Sequence, residues 1–178
     1  MQPVHAAGAR AVGDMDPFVF NAATAPSMQT LQIDPQWAAR ALPGQRLCAG
    51  IDTVALASLR ESLAAFGPRF VQRLFTAQEQ AVAAESVDGG VERLAARFAA
   101  KEAAIKAFGL SEVGVDWRQI EVFRLPSGKP ELRLHGRALA HAQALGVRSM
   151  TVSLSHDGEQ ACALVVAVAD EAASPECV

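Results

Sequence analysis

Tyrosine is absent from this 178-residue chain, and eight Phe with two Trp bring the aromatic content to only 6%. With so few aromatics, the 51% hydrophobic fraction leans heavily on alanine. Charge of one sign is lacking too. A formal net charge of −3 excludes a general nucleic-acid or anionic-membrane binder, which needs a basic excess, but leaves room for a local basic patch. No apolar run reaches the ~18–20 residues of a spanning helix. The first residues show no basic segment followed by an apolar one, so no secretory signal is expected. Cysteine is scarce and scattered. Cys48, Cys162 and Cys177 offer no metal-ligand spacing and suggest no disulfide framework, which points to a reducing, cytoplasmic setting.

Composition changes near residue 46. Residues 1–46 hold little charge and several Pro and Gly, and no sustained period links Phe18, Phe20, Leu31, Ile33 and Trp37. This part reads as an N-terminal extension, partly disordered, with a short docking helix over 37–42 stopped by Pro43-Gly44. From Leu47 to about residue 170 the pattern is regular, and residues 171–178 form a tail. Leu47–Ile51 reads as a short buried strand leading to Asp52. Leu56, Leu59, Leu63 and Phe66 share one helical face, which Gly67-Pro68 ends. Phe70, Val71, Leu74 and Phe75 suggest another helical turn. Thr76-Ala-Gln-Glu79 has the form of a capping box.

A long helix is expected over roughly 91–108. Leu94, Phe98, Ile105 and Phe108 lie on one side and Ala96, Ala99, Ala100, Ala103 and Ala107 on the other, so the helix has no natural solvated face and belongs at the centre. Ile120–Val122 and Leu132–Leu134 alternate like strands around a turn at 126–130. Residues 136–145 form a small helix closed by Gly146. Met150, Val152 and Leu154 alternate with polar residues, His156-Asp157-Gly158 turns, and 160–169 return as a continuous apolar strand. Helices mixed with antiparallel strands give an α+β domain.

Asp52, between a strand and a helix, suits an N-cap, accepting backbone N–H bonds. Glu102, in an alanine-rich helix, either pairs with Lys106 at i+4 or needs another cation. Two carboxylates without cysteine or clustered histidine favour a hard cation such as Mg²⁺, which keeps waters and takes substrate phosphate oxygens. Arg97, Lys101 and Lys106 then gain a purpose as phosphate-neutralising groups. Ser127-Gly-Lys-Pro130 could offer a phosphate backbone N–H groups, but the P-loop spacing is absent and a plain hairpin explains it better. Ser153 and Ser155 share a strand face, yet no nucleophile elbow surrounds them.

Taken together, Gly50-Ile-Asp52, Arg97-Phe-Ala-Ala-Lys-Glu-Ala-Ala-Ile-Lys-Ala-Phe-Gly109, Gly128-Lys-Pro130 and Ser153-Leu-Ser-His156 resemble, in order and spacing, the holo-acyl-carrier-protein synthases. These are the short, single-domain class of 4′-phosphopantetheinyl transferases. Arg69-Phe-Val-Gln-Arg-Leu-Phe-Thr-x-x-Glu79 resembles them too, and the likeness runs from about Leu47 to Val168. It implies a small antiparallel sheet packed around a long central helix. It also implies transfer of the phosphopantetheine arm of coenzyme A to a serine of an apo acyl carrier protein, of fatty-acid or polyketide type, releasing 3′,5′-ADP.

Carried over by position, Asp52 and Glu102 would hold Mg²⁺, and Lys106 would contact the reacting phosphate. Arg97, Gly128, Lys129, Pro130, Ser155 and His156 would hold the 3′-phosphoadenosine portion. A homotrimer with sites between subunits is implied. The family commonly has Glu three and Arg six residues after the metal-binding Asp, where this chain has Ala55 and Ser58, so Arg60, Arg69 and Arg73 become the candidates for gripping an acidic carrier. The family's Gly-Thr-Gly after the helix is here Gly109-Leu110-Ser111. An enzyme without its own nucleophile suits phosphoryl transfer, which asks mainly for positioning and charge neutralisation. The alternative is a non-catalytic module that binds CoA or a carrier and has kept the fold.

Overall fold

The computed structural model describes residues 43–86 and 90–171. The expected extension up to residue 42, its docking helix and the tail beyond 171 lie outside the described residues. The elements are β1 (Gln45–Ala55), α1 (Leu56–Leu74), α2 (Ala77–Ala84), α3 (Val91–Phe108), β2 (Ile120–Arg124), β3 (Pro130–Leu134), α4 (Gly136–Ala144), β4 (Val147–His156) and β5 (Gln160–Asp170). Two short 3₁₀ turns, Leu110–Glu112 and Trp117–Gln119, link α3 to β2. The larger sheet runs β1-β5-β4, all antiparallel, and β2 pairs β3 in a separate ribbon.

α3 lies across the inner face of the larger sheet. Its alanines 95, 99, 100, 103, 104 and 107 are fully buried, as are Ala161, Ala163 and Ala167 of β5. Such small side chains let backbones meet directly. A Cβ on Gly50 of β1 would stand 2.1 Å from the carbonyl oxygen of Ala103 and 2.7 Å from the amide nitrogen of Ala107. Only glycine fits there. Gly50→Ala is expected to cost about 1–3 kcal/mol or more, because strand and helix must separate, and urea melts would measure it.

Most local expectations hold. Thr76 Oγ1 accepts from the Glu79 amide at 3.3 Å and Glu79 Oε2 accepts from the Thr76 amide at 2.8 Å, completing the capping box. Gly67 breaks α1 at φ 59°, ψ −150°, leaving two helical halves in one element. In the β2–β3 turn the Leu125 amide donates to the Lys129 carbonyl at 2.9 Å, with Gly128 at φ 85°. Asp157 Oδ1 accepts from the amides of Glu159 at 3.1 Å and Gln160 at 2.9 Å, closing the β4–β5 hairpin.

Others need correction. β1 continues to Ala55, so Asp52 stands inside a strand and is no N-cap; the residue before α1 is Ala55, without a side-chain cap. The Leu56 amide instead donates to the Glu159 carbonyl at 2.8 Å, tying the start of α1 to the β4–β5 turn. Nor is β1 buried on both faces. Cys48, Gly50 and Val54 point inward, while Leu47 and Ile51 face out at 36% and 58% exposure. β5 alternates likewise, with Leu164 outward. Cys48 is disulfide-bonded, against the expectation from scattered cysteines, and Cys162 is a free thiol.

Candidate active site

The crossing of β1 over α3 brings three of the expected groups together. Asp52 shares the inner row of its sheet with Ala163 and Leu154. Lys106 Nζ, from the last turn of α3, donates to Asp52 Oδ1 at 2.7 Å and to the Ile51 carbonyl at 3.2 Å. Glu102 stands one turn earlier on α3 and is half-buried. Its carboxyl lies above the ordinary range, first because burial disfavours its charge and then because Asp52 repels it, with Lys106 opposing. Lys106 is pushed up, chiefly by its hydrogen bond to Asp52. The lysine therefore bonds Asp52, 54 positions away, rather than its i+4 neighbour Glu102.

Of this group Lys106 lines a cleft of about 510 Å³, together with Gly50, Ile51, Ile105, Gly109 and Ser111, among others. An adjoining groove of about 290 Å³ carries Glu102 on its wall and shares Ile105 and Ser111. At its far end Val115 and Trp117 pass into a third groove, about 520 Å³, where Arg69 and Arg73 meet Asp116 and Arg118. Arg118 holds the Asp116 carboxyl down to about 2. Arg60 is exposed on the first half of α1, apart from that groove.

The other expected groups lie elsewhere. Arg97 is buried on α3 at 3% exposure; it donates to the Arg93 carbonyl at 3.0 Å, and its Nε has no hydrogen-bond partner among the described residues. Burial pulls the guanidinium down, Glu79 opposes this, and Arg124 and Arg93 add to it. Gly128, Lys129 and Pro130 sit at the tip of the β2–β3 ribbon. His156 ends β4 with Nδ1 3.6 Å from Glu92 Oε2, and Ser155 faces outward beside Cys162. Among the described residues, no hydrogen bond or ion pair joins this second set to Asp52, Glu102 or Lys106.

Lys101 is the correction. It does not face a phosphate. Its fully buried ammonium donates to Glu79 Oε2 at 2.9 Å, to the Trp117 carbonyl at 3.1 Å and to the Ile120 carbonyl. Burial lowers its pKa and Glu79 opposes the shift. Glu79 Oε1 also accepts from the Val122 amide at 2.9 Å. Sequence reasoning misses this pair because the cap already accounts for Glu79; the signal is Lys101's place near the middle of the apolar stripe. It also misses the packing role of Gly50, whose signal is a glycine opposite small residues.

Two carboxylates on crossing elements, one of them raised above its ordinary range by burial and then by the other, are a donor set suited to a hard divalent cation. Among the described residues no three His, Cys, Asp or Glu side chains cluster as a closed metal site. The remaining ligands would come from water and substrate, as Mg²⁺ commonly requires.

An antiparallel sheet wrapped on a central helix, with carboxylates at the crossing beside a cleft, defines a class. A sequence profile described as the 4′-phosphopantetheinyl transferase superfamily matches residues 48–165, and the chain belongs to that superfamily. More particularly, it is an enzyme of the holo-[acyl-carrier-protein] synthase type. It is 46% identical over 130 residues to the holo-[acyl-carrier-protein] synthase of Chloroflexus aurantiacus, covering 66% of this chain and 95% of that one. It is 42% identical over 127 residues to that of Herpetosiphon aurantiacus, covering 67% and 97%. The ACPS–CoA complex from Chronobacterium ammoniagenes superposes with a TM-score of 0.61 at 31% identity, covering 68% of this chain and 96% of that one.

Proposed function

We propose that this protein transfers the 4′-phosphopantetheine arm of coenzyme A to a serine of an apo acyl carrier protein, of fatty-acid or polyketide type, releasing 3′,5′-ADP. The serine oxygen forms a bond to the pantetheine-side phosphorus as the bond to the departing nucleotide breaks. The observation that carries this reading is the Asp52–Lys106–Glu102 group, whose lysine lines the cleft and whose glutamate lines the adjoining groove. Asp52 and Glu102 would hold Mg²⁺, which when bound neutralises charge on the pyrophosphate. Lys106, exposed and beside the cleft, contacts the reacting phosphate and offsets charge on the leaving oxygen. Arg97, with an unpaired Nε in a crowd of arginines, has charge to give an anion, and Gly128, Lys129, Pro130, Ser155 and His156 complete the nucleotide seat. Residues 47–170 are the catalytic domain in this reading, and a cytoplasmic location follows from the substrate pair. Among the described residues, no helix is long and apolar enough to cross a membrane.

The carrier docks on the groove of Arg69 and Arg73, with Arg60 beyond it. Arg73 acts on Asp116 across that groove, so α1 and the turn before β2 form one face. Incubation with CoA, Mg²⁺ and a panel of apo carriers tests the function: one carrier gains the mass of a single arm. CoA binding without any mass gain would establish the non-catalytic module instead.

The assembly is a homotrimer. The outward rows of the larger sheet, Leu47–Val168–Ser149, Ala49–Val166–Thr151 and Ile51–Leu164–Ser153, form an apolar strip with a hydroxyl edge. Ala49 and Ile51 of that face also line the cleft. A copy seated on the sheet therefore walls the cleft, and the β2–β3 tip and His156 can serve a neighbour's carboxylates. Leu164→Glu is expected to yield monomers in sedimentation velocity and to lower transfer, since a buried charge at that contact is costly.

A further inference from the structure

Asp52 has a cation partner from the chain itself. Lys106 Nζ is 2.7 Å from Asp52 Oδ1, and the same ammonium bonds the Ile51 carbonyl at 3.2 Å, so it is seated on β1 by two acceptors. That places it on one of the two carboxylate oxygens that Asp52 has to offer a divalent ion. The Lys106 side chain is nevertheless 54% exposed and stands on the cleft wall, whereas Asp52 is only 18% exposed. The lysine can leave; the aspartate, fixed within a strand whose nearby Gly50 touches α3, cannot follow. An ammonium and a divalent cation on one carboxylate repel each other and share its negative charge. We infer that Lys106 is a resident counter-ion of the Asp52 carboxylate, which a divalent metal displaces into the cleft, so that loading the site also delivers the lysine to where a phosphate lies.

This exchange rests on the proposed metal role of Asp52 and Glu102, and it assigns Lys106 a second position. Its consequence concerns affinity without CoA. A residue that served only the phosphate would leave metal binding by the free protein unchanged when removed. A resident counter-ion must weaken it.

Mn²⁺ titration of the full chain without CoA, followed by electron paramagnetic resonance of the free ion, separates the cases. Lys106→Met is expected to bind Mn²⁺ about fivefold more tightly than the unaltered protein, the scale of one exposed ion pair. Arg148→Gln, which removes a cation paired with Asp170 instead, is expected to leave binding unchanged. If Asp52→Asn abolishes binding while Lys106→Met leaves it unchanged or weaker, the metal reading stands and the exchange is overturned. If Asp52→Asn leaves binding unchanged, the metal reading itself fails. If only the Lys106→Met protein binds measurably, the exchange is supported. A melting curve of each variant verifies that it is folded.

Discussion

Glu102→Gln is expected to reduce arm transfer about a thousandfold or more while the protein melts at or slightly above its original temperature. The loss follows from removing one of two carboxylates proposed for the metal. The stability half follows from its environment. The Glu102 carboxyl lies above the ordinary range, chiefly through burial and secondly through Asp52, so its ionised form opposes folding. For a carboxyl raised in this way, relative stability is fully present below the unfolded pKa and is lost as pH rises through the folded one. The amide of the variant imitates the protonated acid. Its advantage in melting temperature should therefore appear near neutral pH and close as pH falls through the carboxylate range. Transfer is read by mass spectrometry of the carrier and stability by thermal melts at two pH values. Undiminished mass gain would remove Glu102 from the reaction.

Lys101→Met should do the reverse, damaging the fold first. Glu79 and Lys101 are both fully buried, and the pair joins α2, α3 and β2 through the Thr76 and Val122 amides and the Trp117 and Ile120 carbonyls. Removing the lysine leaves a carboxylate in the core without its cation. Breaking a buried pair from one side costs about 3–5 kcal/mol, which lowers the melting temperature by roughly 10–20 °C in a domain of this size. The double variant Glu79→Gln, Lys101→Met should recover part of this loss, because no unpaired charge remains; a purely additive double variant would show that the two groups act separately.

Sequence shows whatever a local rule decides. The span of α3, the Thr76–Glu79 box, the Gly67 break and both hairpins depend on residues within a few positions of one another. Asp52, Glu102 and Lys106 are legible as a set through a resemblance, and their residue types suit a hard cation. Their wiring is not. That Lys106 reaches Asp52 rather than Glu102 depends on how close β1 comes to α3. That Lys101 turns into the core depends on Glu79, 22 positions earlier. The outward face of β1 is hidden from sequence because Leu47 and Ile51 are apolar, and an apolar run reads as interior.

The alanines of α3 set a tolerance as well as a volume. Where large side chains separate two elements, small errors are absorbed by rotamers. Here the peptide backbones of β1 and α3 rest on each other at Gly50, and a backbone has no rotamers to yield. Asp52 lies two residues along the strand from that contact and Lys106 next to the Ala107 amide, so the spacing of the two backbones that carry them is gauged by atoms that do not move. A chain poor in aromatic bulk thus obtains, at one crossing, a fixed calliper for the backbones that bear its charged groups.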